Sequence, residues 1–494
     1  MSKESSYRQI FKTTSIFGGV QVFNIIINII RSKLIAILLG PAGMGIVGLL
    51  NSTTTIVGNI TNCGLSTSSV KNVAAANASG DMEKVSKVIG VLRRLVWITG
   101  VTGAIIMFFA ARWLSELTFN NRDYTYAFMA LSITLLFTQV NAGQMVVLQG
   151  LRKIKYLALA DLIGTIIGLV VSVPIYFVWR TAGIVPAIII TSVCMVALSW
   201  YFSSKIKLEK YKVTVELLRT EGREMITMGF FLSFSGLITL AASYVVRIFI
   251  NREGGIEQVG LYNSGFAIIT SYVGLVFTAM ATDYYPRLSA VAYSNRELKR
   301  VINQQAEIAV LIISPIISIF LVYINFVVII LYSSKFSGVD GMIHWAALGM
   351  IFKAASWSIG FILLAKGESK VFFWNELLNN IYTLVLNLVG YHYGGLSGLG
   401  ISFLVGYFIY FFQVFFLAKI RYEFSFEKDF FVIMLVQLLI NVSCFLLVLF
   451  LHRPYNYLGG TIFILLSFLY TFRELDKRLA LKSFLMKFKQ RMLK

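Results

Sequence analysis

The chain is short of the residues that carry most catalytic and metal chemistry. Its 494 residues include only three cysteines and three histidines, all far apart. Cys63, Cys194 and Cys444 lie within apolar stretches without metal-like spacing, so they read as small hydrophobes of a packed interior. His344, His392 and His452 fall near predicted outer helix ends, which are interfacial positions rather than a ligand set. There is no phosphate-binding G-x-x-x-x-G-K-[ST] loop, which argues against ATP hydrolysis within this chain. Charged residues make up only 14%, too few to cover a soluble protein of this length. Acids are scarcest, with 23 Asp and Glu against 44 Lys and Arg, a formal charge of +21.

Apolar residues are abundant: 57% of the chain is hydrophobic, and the mean hydropathy is +0.77. A membrane-spanning helix takes roughly 20 apolar residues. Fourteen stretches approach or exceed that length: 13–39, 45–70, 88–111, 124–148, 156–179, 183–202 and 225–250, then 259–282, 306–332, 342–365, 371–391, 398–417, 430–451 and 458–472. The first is too long for a signal-peptide core and no small-residue cleavage site follows it, so it is expected to remain as a helix. Of the 44 Lys and Arg, 34 fall in alternate connections and the tail, six in the remaining connections and four within spans. This is the positive-inside pattern, and it predicts an even number of crossings with both termini cytoplasmic. Because the cations come in short groups between spans and not as one stripe, nucleic acid is not the expected partner. The longer connections, 71–87, 203–224 and 283–305, all fall on the basic side, and no outer loop is large enough for a catalytic domain. The tail 473–494 places Leu475, Leu479, Leu485, Phe488 and Met492 at helical spacing among cations, as an interfacial helix would.

An internal repeat organises these spans. Val47-Gly-Leu-Leu-Asn-Ser52 returns as Val259-Gly-Leu-Tyr-Asn-Ser264, each preceded by a glycine-containing turn. Gly150-Leu-Arg-Lys153 matches Gly367-Glu-Ser-Lys370, and Lys205-Ile206 matches Lys419-Ile420, at an offset of about 212 to 217. Each copy holds six spans, so both enter the membrane in the same direction. The expected division is an N-terminal lobe 1–203, a cytoplasmic linker 204–224, a C-terminal lobe 225–418, two further helices in 419–472, and the basic tail 473–494.

A charge at mid-bilayer costs roughly 2.5–3.5 kcal/mol on insertion scales, so it needs a wet cavity or a partner. At about 1.5 Å per residue, Lys353 lies ~16 Å below the outer end of its span. Arg31 lies ~27 Å and Arg247 ~33 Å above the starts of their own spans, which leaves snorkelling to the outer surface open for both. Asn24, Asn28 and Arg31 recur at helical spacing as a polar stripe. Asn59 and Asn379 belong to amide clusters on the second and eleventh spans. Amides in spans are often helix-to-helix glue. Concentrated in few helices with cations at depth, however, they describe a hydrophilic cavity of positive potential, suited to an anion bearing sugar hydroxyls. Asp161, Glu307 and Glu376 are candidates for coupling to Na+ or H+. No other cofactor is implied.

The segment Leu38-Leu-Gly-Pro-Ala-Gly-Met-Gly45, with Arg31 nine residues before Gly40, the Val-Gly-Leu-Tyr-Asn-Ser264 echo and the six-plus-six-plus-two layout resemble the polysaccharide transporter branch of the MOP superfamily. The O-antigen translocases, or Wzx-type flippases, are its nearest counterpart. The resemblance implies an all-α polytopic protein with about fourteen transmembrane helices: two pseudo-symmetric six-helix bundles plus two C-terminal helices. It implies movement of an undecaprenyl-pyrophosphate-linked oligosaccharide from the inner to the outer leaflet of the bacterial inner membrane, in O-antigen and lipopolysaccharide biosynthesis. A polysaccharide polymerase and a chain-length regulator are the implied partners. In related lipid flippases an arginine at the spacing of Arg31 faces the diphosphate. Arg247 stands near a position where some members carry an acid. One rival is an ion-coupled drug or metabolite antiporter of the same superfamily, which calls for deep acids. The other is a polytopic glycan polymerase or ligase, which calls for large outer loops.

Overall fold

The computed structural model describes residues 3–206, 211, 213–452 and 454–479. The part of the expected interfacial tail beyond 479 lies outside the described residues. The helices are α1 (Lys3–Asn62), α2 (Leu65–Ala78), α3 (Met82–Phe119), α4 (Thr125–Gly150), α5 (Ile154–Trp179), α6 (Ile184–Ser204) and α7 (Val215–Gly254). They continue with α8 (Ile256–Ala267), α9 (Leu275–Ala290), α10 (Asn295–Leu331), α11 (Asp340–Ala365), α12 (Ser369–Tyr422), α13 (Lys428–Phe450) and α14 (Tyr455–Leu479). Among the described residues the chain is all helical, and ten helical stretches are long and apolar enough to cross a membrane.

Three of those stretches contain two successive predicted spans, divided by a residue with positive φ. Gly40 (φ 65°) breaks α1, Arg180 (φ 51°) separates α5 from α6, and Gly395 (φ 56°) breaks α12. The predicted basic-side connections are mostly helix: residues 71–78 extend α2, 82–87 open α3, and 283–290 with 295–305 extend α9 and α10. Local signals account for some of these ends. Asp81 caps α3 by accepting hydrogen bonds from the Glu83 and Lys84 amides at 2.9 and 3.2 Å, and Thr214 caps α7 through the Leu217 amide.

The duplication is written into the backbone. Gly40 and Gly255, Arg152 and Gly367, and Arg180 and Gly395 all have positive φ, and each pair is 215 residues apart. Gly40 (φ 65°, ψ −172°) and Gly255 (φ 83°, ψ 173°) share a conformation essentially restricted to glycine, so the helix after each leaves the turn in the same way. The sequence repeats, at offsets of 212 to 217, follow this constant spacing loosely because loop motifs drift while turn geometry does not.

By packing, the chain forms two compact units, Met1–Gly260 with Leu331–Ser333, and Leu261–Ile330 with Ser334–Lys494. In the first, α7 packs on α1, α2 and α3. The buried hydroxyls of Thr53, Thr118 and Tyr244 bond to one another at 2.6 to 3.3 Å in the C-terminal half of α7, and Ser68 donates to the Met225 carbonyl at 2.7 Å in its N-terminal half. In the second unit α11 is the most buried span. Polar pairs tie α13 and α14 to α10: Ser318 donates to Asn441 at 2.9 Å, Gln437 donates to Thr471 at 2.9 Å, and Thr471 donates to the Leu311 carbonyl at 3.0 Å.

Candidate functional site

Arg31 in the first unit and Lys353 in the second are cations within spans whose side chains meet other helices. In the first, α1 turns Arg31 toward α5, where Gly168 leaves room for it. A Cβ built on Gly168 would lie 3.2 Å from Arg31 Nη1 and 3.6 Å from the Thr191 methyl. Arg31 also lies close enough to Tyr176 to interact with it electrostatically, while its Nε has no hydrogen-bond partner. Measured from the Gly40 turn Arg31 is nine residues in, or ~14 Å, and Gly168 is a similar ~16 Å below Trp179. The guanidinium therefore lies at the level of Gly168, beside α5.

Asn24 is buried and donates to Asp161 Oδ2 at 2.7 Å, while Asn28 is exposed. Asn24 and Arg31 meet α5, while Asn28, on the same face of the helix, is exposed. Asn59 bonds back to the Thr55 carbonyl at 2.8 Å. Arg247 bonds back to the Ser243 carbonyl at 3.0 Å and to the Ser243 hydroxyl.

In the second unit Lys353 projects from α11 into an aromatic box. Its Nζ lies 5.2 Å from the Tyr407 ring centre, 5.7 Å from that of Phe277 and 5.8 Å from that of Phe403. Such rings attract a cation through their negative faces without neutralising it. Beyond Tyr407, Glu376 accepts a 2.6 Å hydrogen bond from Tyr410, and Asn375 donates to both of these residues at 3.3 Å. Gln413 donates to Asn375 Oδ1 at 2.8 Å, and Asn379 accepts from Thr383 at 3.3 Å. Asp161 and Glu376 are 215 residues apart, so the two acids occupy equivalent places on the fifth helix of each repeat. Glu307 is different: Arg478 on α14 binds it at 2.6 Å and binds Glu474 at 2.6 Å, so it belongs to an ion-pair network joining α14 to α10.

The aromatic box was not foreseen. On α12, Phe403 and Tyr407 recur at i and i+4, a spacing that signals a shared face but is hidden among the many aromatics of that helix. Gly168 gave no signal of its own, because its role depends on what lies opposite.

Duplicated spans broken at glycine turns, with isolated cations and paired acids at depth, define a multi-pass membrane protein of transporter architecture. Solved structures show the same fold. Lipid II flippase MurJ in an inward closed conformation matches with a TM-score of 0.70 at 13% identity, over 94% of this chain and 99% of that one. An inward-facing multidrug resistance MATE transporter of the MOP superfamily matches at 0.69 and 18% identity, over 81% and 94%. The chain belongs to the polysaccharide biosynthesis protein family, whose pattern matches residues 34–341. Lipid III flippase of Escherichia coli (strain K12) is 19% identical over 397 residues, covering 78% of this chain and 92% of that protein. Lipid III flippase of Shigella flexneri matches to the same extent.

Proposed function

We propose that this protein is a flippase that carries an undecaprenyl-pyrophosphate-linked oligosaccharide, an O-antigen or similar surface-polysaccharide unit, from the inner to the outer leaflet of the bacterial inner membrane. One observation carries this reading: Arg31 and Lys353 lie deep in the spans, and neither makes an ion pair with any described residue. Such charges are costly unless an anion visits them, and a diphosphate is the anion that a lipid-linked glycan brings. The aromatic and amide side chains near Lys353 are of the kind that contact sugars. Lipid II and lipid III flippases among the similar proteins support a lipid-linked cargo.

The mechanism is alternating access across fourteen crossings with both termini cytoplasmic, and it needs no covalent step. Cationic side chains offset the diphosphate's desolvation, and the lipid tail stays in the bilayer. Coupling to a proton or sodium ion runs through the equivalent acids Asp161 and Glu376. A polysaccharide polymerase and a chain-length regulator would receive the product. The test is complementation of a glycan-export mutant together with a leaflet assay. Arg31→Ala and Lys353→Ala should each lower export at least ~100-fold at normal membrane abundance, in keeping with about 3 kcal/mol for a charged partner lost from a buried site. The deletion strain should accumulate lipid-linked glycan on its inner leaflet. Full export by both variants would overturn the reading.

A further inference from the structure

The two copies of the repeat meet backbone to backbone at Gly45 and Gly260, as they also do at Gly64 and Gly229, within the first compact unit. A Cβ on Gly45 would lie 2.0 Å from the backbone oxygen of Ile256, and a Cβ on Gly260 would lie 1.9 Å from the backbone oxygen of Pro41. Pro41 and Ile256 are 215 residues apart, as are Gly45 and Gly260. The contact is therefore reciprocal: each glycine rests on the residue equivalent to the other's partner, as in an isologous interface between two subunits. Atoms in van der Waals contact rest about 3.5 Å apart, so no residue with a side chain fits at either glycine unless the helices separate. The turns at Gly40 and Gly255, alike in conformation, aim both helices into this crossing.

Farther in, both helices are interrupted. Cys63 (φ 48°) and Gly64 (φ 69°) stand between α1 and α2, and a stretch of π-helix, Ile268–Val273, stands between α8 and α9. Each segment, 41–62 and 256–267, is thus a helix with a turn at one end and an interruption at the other. Such a segment is free to pivot without carrying the rest of its span.

We propose that the Gly45–Gly260 crossing is the contact that parts when the transport path opens to the outside and re-forms when it closes. This rests on the alternating-access reading above, but not on the identity of the cargo. Two bare backbones in close contact make a seam that closes tightly and is held at the crossing itself by Cα–H···O contacts, each weaker than an N–H···O bond.

The test uses the full chain with its cysteines replaced by serine and a reporter at Asn51→Cys, exposed on the same helix. Labelling by a membrane-impermeant maleimide in intact cells should rise several-fold in Gly45→Val and Gly260→Val, and by less in the alanine variants. Unchanged labelling in both valine variants at normal abundance would overturn the proposal. Should the valine variants fail to accumulate, the alanine variants carry the test. Labelling above the parental level in both supports the proposal, and unchanged labelling in both would overturn it. Neither readout needs a substrate, so loss of glycan export alone would count against the cargo and not the seam.

Discussion

Arg31 shows how one residue's meaning depends on what faces it. Its guanidinium occupies space that Gly168 leaves open beside Thr191, and that space exists only because α5 carries no side chain there. Gly168→Ala should be mild, since a contact at 3.2 Å asks the guanidinium to move a few tenths of an ångström. Gly168→Leu should expel it, destabilising the fold by about 1–3 kcal/mol as overpacking does and lowering export as Arg31→Ala does. Export at the parental level by Gly168→Leu would show that the guanidinium is not needed in that position. Lys353 gave a clearer signal in the sequence, because a lysine far from both ends of its span has nowhere to snorkel. Its ring partners did not, because aromatics in a membrane protein are too common for any three to stand out.

Among the elements, α12 illustrates how ends are held on the basic side of the membrane. Glu368, just before α12, pairs with Arg421 near its far end at 2.5 Å. The hydrogen bond from Arg421 holds the Glu368 carboxyl below its ordinary value. A depressed carboxyl stabilises the folded state above its unfolded pKa and loses that contribution as pH falls through the folded value. The thermal midpoint of the parent should therefore exceed that of Glu368→Gln at neutral pH. The gap should close below about pH 4, where unperturbed glutamates protonate. A gap independent of pH would mean that the pair does not act through its charge. The helix caps at Asp81 and Thr214 are local features, set by residues two or three positions apart. The interruption at Cys63 and Gly64 was not readable in the sequence, since an apolar stretch looks continuous whichever sign φ takes.

For the whole molecule, the cation distribution predicts topology and the constant 215-residue spacing of turns supports its duplicated plan. Accessibility labelling should place both termini and the segment 203–224 inside. Labelling of that segment from outside in intact cells would invalidate the orientation. Packing assigns α7 to the first compact unit although the repeat makes it the first helix of the second lobe. The two divisions measure different things: one follows the duplication of the chain, the other the side chains that bury one another.

By itself, the sequence determined that this is a polytopic helical membrane protein with a repeated plan and cations at depth. Hydrophobic length, loop charge and local turn chemistry are one-dimensional quantities, each set by residues close in the chain. Only the tertiary structure decided which residue faces which. It placed Arg31 against Gly168, Lys353 among three rings, Asp161 against Asn24, Glu307 against Arg478, and Gly45 and Gly260 across one crossing. The physical reason is that a span's apolar code is highly degenerate. Many rotations of one helix about its axis bury lipid-facing surface equally well, and contacts between residues far apart in the chain choose among them.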